Sequence, residues 1–177
     1  EDDYDSEFRY KGKPIPSLQA TDRSDRVIYT GTFSKVLMPS LRVAYIVMPK
    51  NLTWQDPALE YFSLNVPFIT QKTLALFFEH GYWEKHLRKM RKVYRRKYYH
   101  TAQCIRKVFG DQVTFQLSHA GLYIVLHVKT KLNSTTLAER AARYSVRILS
   151  TDPCHYLPKK NYPAFFFGFG ALEIEEI

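Results

Sequence analysis

A lysine closes the segment Gly31-Thr32-Phe33-Ser34-Lys35, between two short apolar and β-branched runs, Val27 to Thr30 and Val43 to Met48. A turn at the end of a sheet is where α/β proteins open a ligand crevice. An amine held there and partly stripped of water loses its proton more readily, and its lone pair can attack an aldehyde to give a Schiff base. Arg42 follows seven positions after Lys35. Its guanidinium, the hydroxyls of Thr32 and Ser34 and the loop amides could therefore converge on one phosphate. Asp2 and Tyr4 sit where an upstream strand would end. They offer a carboxylate for a pyridine nitrogen and a phenol for a ring hydroxyl, the pairing that turns a heterocycle into an electron sink. Taken alone, Thr-Phe-Ser-Lys favours a solvated loop lysine; Asp2, Tyr4, Thr32, Ser34 and Arg42 shift the balance to the covalent role.

The elements that must position these residues follow from periodicity. The runs at Val27 to Thr30 and Val43 to Met48 read as buried strands, the second closed by Pro49. Phe68 to His80 has helical spacing with Gly81 as a stop, and Tyr82 to Phe109 reads as a long amphipathic helix ended by Gly110. Its apolar stripe is Leu87, Met90, Tyr94, Tyr98, Thr101, Ile105 and Val108. Beyond Gly110 the period changes to two, giving strands at Val113 to Leu117 and Leu122 to Val128 around Ser118-His119-Ala120-Gly121. Asn133 can cap a helix through Tyr144, and Val146 to Leu149 and Ala164 to Phe169 read as further strands. The expected fold class is α/β, with a sheet-forming piece over residues 1–70 and a smaller α+β domain over 71–177 that includes the helix 82–109.

Composition narrows the function classes. The 177 residues are 45% hydrophobic and 15% aromatic, enough for a packed core. The net charge of +9 points to nucleic acid, an acidic surface or an anionic cofactor. Two cysteines, Cys104 and Cys154, are too few for a disulfide framework and suit a reducing, cytoplasmic setting. No apolar run reaches the roughly 20 residues of a spanning helix. The acidic start, Glu1-Asp2-Asp3, is unlike a signal peptide. The chain reads as part of a longer protein.

Longer stretches carry a resemblance. Glu1-Asp2-Asp3-Tyr4-Asp5-Ser6-Glu7-Phe8, Arg26-Val27-Ile28-Tyr29, Gly31 to Lys35, Pro39 and Leu41-Arg42 resemble the MocR/GabR regulators, a subfamily of the GntR transcription factors. The match continues through Gln71, His86-Leu87-Arg88-Lys89-Met90, Tyr94, Ala120-Gly121-Leu122 and Gly168-Phe169, nearly the whole chain. The resemblance implies the C-terminal part of a type I aminotransferase-like fold that binds pyridoxal 5′-phosphate (PLP). Lys35 would form the aldimine, Asp2 would meet the pyridine nitrogen, Tyr4 the ring oxygen, and Thr32, Ser34 and Arg42 the phosphate. It further implies an N-terminal winged helix-turn-helix that binds DNA and precedes this segment, a homodimer, and an amino-group effector or PLP itself as the sensed molecule. A working aminotransferase uses the same tools and is the alternative. Family members hold an effector carboxylate with an arginine before the last strand. Here Thr151 to Tyr156 has none, so either the effector is not a simple amino acid, or His155, Lys159 or Lys160 takes over, or PLP itself is sensed.

Other constellations compete for a role. Lys85, Arg88, Lys89, Arg91, Lys92, Arg95, Arg96 and Lys97 form a basic run suited either to a phosphate backbone or to the solvated face of a helix. His100 and Cys104, four apart, have metal-ligand spacing without a second pair. Cys154-His155 are adjacent and in a strand would point apart.

Overall fold

A computed structural model describes residues 1–3, 6–52, 66–156 and 162–177. These divide into two compact units, Glu1–Met90 and Arg91–Ile177. The division falls inside the long helix, later than the boundary expected near residue 70. Rings explain why: Phe33 stacks edge-on against Phe78 at 5.9 Å and Trp83 at 5.6 Å, tying the segment after residue 70 to the first unit.

The first unit is built on a three-stranded sheet, β1 (Asp2–Asp3), β2 (Tyr29–Thr32) and β3 (Ala44–Val47), in that order, with β1 parallel and β3 antiparallel to β2. A short helix α1 (Leu18–Thr21) is capped by Ser17, whose Oγ accepts from the amide of Ala20 at 3.0 Å. Asp22 then accepts from the amides of Ser24, Arg26 and Val27, which together hold its carboxyl below the usual range. Because those amides serve the carboxylate, strand pairing starts at Tyr29 and not at Val27. All four β3 residues are exposed, Ile46 by 56%, so the apolar run that reads as a buried strand lacks a covering layer among the described residues. α2 (Phe68–Glu79) ends as expected, with Gly81 at φ +67° donating to the carbonyl of Phe78.

The helix α3 (Tyr82–Phe109) has the expected bounds. In the second unit it lays Tyr98, Thr101, Ala102 and Ile105 into the core, joined by Ile124, Leu126, Ala164, Phe165 and Phe169. The stripe fails at its end, since Val108 is 71% exposed. The sheet of this unit runs β4 (Val113–Thr114), β5 (Tyr123–Val128), β7 (Ala164–Gly168), β6 (Leu149–Ser150), all neighbours antiparallel. β4 is much shorter than the five-residue strand read from the sequence. The amide of His119, at φ +55°, is drawn to the hydroxyl of buried Tyr98 at 2.9 Å, and this steers the chain off the ladder. α4 (Ser134–Arg143) is capped by Asn133, whose Oδ1 accepts from Thr136 at 2.8 Å. Its C-terminal turn retains Val146, whose amide donates to Ala141, with Ser145 at φ +61°. β6 therefore starts at Leu149, three residues later than the sequence suggests.

Gly31 is fixed by close approach. A Cβ there would lie 2.5 Å from the ring of Tyr45, its partner across β2 and β3. Gly31→Ala is expected to push aside the exposed Tyr45 ring and destabilise the first unit by about 1 kcal/mol, the low end of overpacking. Gly31→Ala combined with Tyr45→Ala should recover part of that loss in a urea melt.

Candidate functional site

The register of β1 on β2 places Asp2 opposite Thr30. The Thr30 hydroxyl donates within reach of Asp2 Oδ1, 3.3 Å, and of the Glu1 carbonyl, 3.2 Å. Side chains alternate along a strand, so Asp2, Thr30 and Thr32 share one face, with Thr32 about 7 Å further along. At its end the Thr32 hydroxyl lies 3.1 Å from Ser34 Oγ and 3.3 Å from the carbonyl of Val43, and it accepts from the Ser34 amide at 3.2 Å. The amide of Phe33 donates to the same Val43 carbonyl, and the amide of Leu37 returns to Phe33, closing a tight turn that carries Lys35. Lys35 is exposed at the crest of that turn, and Val36 beside it is 2% exposed. Arg42 precedes Val43 in a left-handed conformation, φ +51°, at the end of the single 3-10 turn Pro39–Leu41. The fold thus gathers the backbones of Thr32, Ser34, Lys35 and Arg42 at one end of the β2–β3 pair, with Asp2 further back on the same face as Thr32. Tyr4 lies outside the described residues, as do Lys159 and Lys160.

Two features of this region escaped the sequence reading. His86 Nε2 donates to the carbonyl of Val36 at 2.7 Å, so an imidazole from α3 pins the Val36–Leu37 peptide, one residue beyond Lys35. No spacing links residues fifty apart, although His86 stood among the quoted residues. The second is the opposite face of the sheet, where Tyr29 donates to Asp3 Oδ2 at 2.9 Å and its ring lies 6.1 Å from that of Tyr45. Tyr29 and Gly31 are two apart, so strand alternation was the available signal.

Burial, then the hydrogen bonds to Asp3 and Tyr45, push the Tyr29 hydroxyl above the usual phenol range. The folded state thus keeps its proton when the unfolded chain has lost it. The stability this provides is fully present below about pH 10 and declines as the pH rises further. Urea midpoints between about pH 8 and 11 should fall less steeply in Tyr29→Phe than in the parent chain.

In the second unit, Thr151 Oγ1 and His155 Nε2 are buried without a hydrogen-bond partner among the described residues, in the loop whose sequence offers no arginine for a carboxylate. Cys154 is exposed on the 3-10 turn before His155. Cys104 Sγ lies 3.6 Å from His100 Nε2, and no group of three or more metal-ligating side chains is gathered among the described residues. No helix among them is long and apolar enough to cross a membrane.

No family model matches the chain. Curated proteins do. The chain is 38% identical over 99% of its length to YdeL, an uncharacterised HTH-type transcriptional regulator of Bacillus subtilis, covering 39% of that protein. It is 38% identical over 99% of its length to the probable rhizopine catabolism regulatory protein MocR of Rhizobium meliloti, covering 36%. The chain is related to the MocR-type regulators over its whole length. It is also 34% identical over 97% of its length to PdxR of Corynebacterium glutamicum, an HTH-type pyridoxine biosynthesis transcriptional regulator, covering 37%. The chain therefore spans between a third and two fifths of these relatives.

Solved structures give the fold. A multiple substrate aminotransferase from Thermococcus profundus superposes with a TM-score of 0.83 at 22% identity, over 99% of this chain and 44% of that one. LysN, an α-aminoadipate aminotransferase of Thermus thermophilus complexed with N-(5′-phosphopyridoxyl)-L-leucine, gives 0.82 at 24% identity, over 99% and 46%. The chain has a mixed α/β fold that matches nearly half of a type I aminotransferase.

Proposed function

We propose that this chain is the C-terminal part of a PLP-binding, effector-sensing domain in a cytoplasmic transcription regulator. In this reading residues 1–70 belong to the large PLP-binding domain and 71–177 to the small one. DNA is bound by a winged helix-turn-helix elsewhere in the same protein, which acts as a homodimer. The observation that carries the reading is the turn bearing Lys35. Its base is the Thr32–Ser34 hydroxyl pair, its far side is pinned by His86, and Asp2 stands on the same sheet face as Thr32. Two hydroxyls, a guanidinium one residue from a shared carbonyl, an amine and a carboxylate fit a phosphate-bearing aldehyde with a basic ring nitrogen.

When bound, PLP supplies an aldehyde that joins covalently to amines and a ring that withdraws electrons from them. The chain's own residues do the rest. Thr32, Ser34 and Arg42 would hold the phosphate oxygens through charge-assisted hydrogen bonds. Asp2 would keep the ring nitrogen protonated, Tyr4 would take the ring oxygen, and Lys35 would offer the amine that joins the aldehyde. An effector with its own amino group would displace the Lys35 amine, and the freed side chain would bias the conformations that the DNA-binding part reads.

The test is borohydride reduction of the PLP-loaded protein followed by peptide mass spectrometry. A phosphopyridoxyl group on Lys35 is expected; a colourless protein without a lysine adduct would overturn the reading. The second reading is an active aminotransferase, favoured by the solved structures of that fold. Release of a keto acid from an amino acid by the loaded protein, at a rate that Lys35→Ala abolishes, would decide for it.

A further inference from the structure

We infer that the outer face of α3 in the second unit is a DNA-phosphate contact surface. The chain's charge is unevenly placed. Arg91–Ile177 holds fourteen Lys and Arg against six Asp and Glu, whereas Glu1–Met90 holds twelve against eleven. The second unit thus carries +8 of the net +9, and much of it stands on one helix.

At 100° per residue, Lys92, Arg95, Arg96, Arg106 and Lys107 fall within one arc about 120° wide, opposite the buried Tyr98, Thr101 and Ile105. All five are exposed. From Lys92 to Lys107 the arc runs about 22 Å, at 1.5 Å per residue, which matches six or seven steps of one DNA strand at about 3.4 Å each.

A face that merely meets water normally mixes signs, because an acid at i+3 or i+4 relieves each base. Here α3 carries no Asp or Glu from Lys85 to Phe109. Among the described residues no carboxylate lies within ion-pair distance of Lys92, Arg95, Arg96 or Lys107. The ion pair seen on this helix instead joins buried Lys97 to Glu173 at 3.9 Å, off the basic arc. Lys92 with Arg95 and Arg96 are like charges at i+3 and i+4, an arrangement that opposes the helix until an anion neutralises it. Flexible cations on one rigid line, with Gln103 the one amide side chain on the arc, suit the phosphate backbone and predict binding largely indifferent to sequence. The choice of DNA over other polyanions rests on the regulator reading above.

The experiment titrates the 177-residue chain into a fluorescent 30-base-pair duplex at several salt concentrations. Two triple variants are compared: Lys92→Gln with Arg95→Gln and Arg96→Gln, and, as a control on and beside α4, Lys131→Gln with Arg140→Gln and Arg143→Gln. The parent should bind two unrelated duplexes equally, with log Kd rising linearly against log salt. The α3 variant should lower that slope by roughly 2–3, at about 0.9 for each phosphate no longer neutralised, and the control should leave it within about 0.5. Arg95→Lys with Arg96→Lys should keep the parent slope. No duplex binding at low salt, an equal loss in the α4 control, or binding to anionic lipid vesicles in place of duplex would overturn the inference. A missing PLP adduct would overturn the cofactor reading alone, since no cofactor enters this titration.

Discussion

Lys35→Ala is expected to remove the borohydride-stable phosphopyridoxyl adduct entirely. The Lys35 side chain is exposed, so its loss should cost much less stability than truncation of a buried side chain. PLP should still be retained reversibly by Thr32, Ser34 and Arg42. Each charge-assisted hydrogen bond contributes about 1.5–3 kcal/mol, so Arg42→Ala should weaken cofactor binding by roughly 10–100-fold while leaving an adduct at saturating PLP. That contrast separates the covalent role from the electrostatic one. His86→Ala provides the third comparison. If the imidazole positions the turn through the Val36 carbonyl, its loss should slow adduct formation on Lys35 without changing which lysine is modified. Mass spectrometry of the reduced protein reads all three. An adduct that persists in Lys35→Ala, or that forms on another lysine of the parent chain, would move the cofactor site elsewhere.

The parts of the fold that sequence made legible are those fixed locally. α3 carries its own period, and Gly81 and Gly110 end helices because their positive φ suits a residue without Cβ. Asn133 caps α4 through its own side chain. The misread segments are those decided at a distance. β4 is shortened because the amide of His119 bonds the hydroxyl of Tyr98, twenty-one residues away in the chain. β6 is the local exception, starting late because the turn ending α4 retains Val146 through an amide bond to Ala141, five residues back. β3 has the composition of a buried strand yet all four of its residues are exposed, since burial depends on what covers a face and not on the strand itself. The site shows the same division. Thr32 and Ser34 are two apart and their meeting is local, whereas the pinning of Val36 by His86 needs the packed fold.

Phe169→Ala should be the most destabilising single change in the second unit. The ring is fully buried and stands edge-on to Tyr98, 5.8 Å between centroids at 73°, while its amide donates to the carbonyl of Leu122 at 3.1 Å. Truncation to alanine removes the transfer energy of the ring and leaves a cavity beside Tyr98, a loss of about 3–5 kcal/mol. The consequence should reach beyond the core. Tyr98 accepts from the amide of His119, and the ring of Tyr99, in contact with both, sends its hydroxyl to His119 Nδ1 at 3.2 Å. A Tyr98 free to tilt into the cavity would lengthen the first of these bonds, so amide exchange at His119 should rise more than exchange along β5. Phe169→Leu fills most of the space and should cost appreciably less than the alanine change. Val108→Ala lies on the same helical stripe by sequence yet is exposed, and should change stability by no more than about 0.5 kcal/mol. Equal losses in Val108→Ala and Phe169→Ala would mean that the stripe packs along its whole length, contrary to this core.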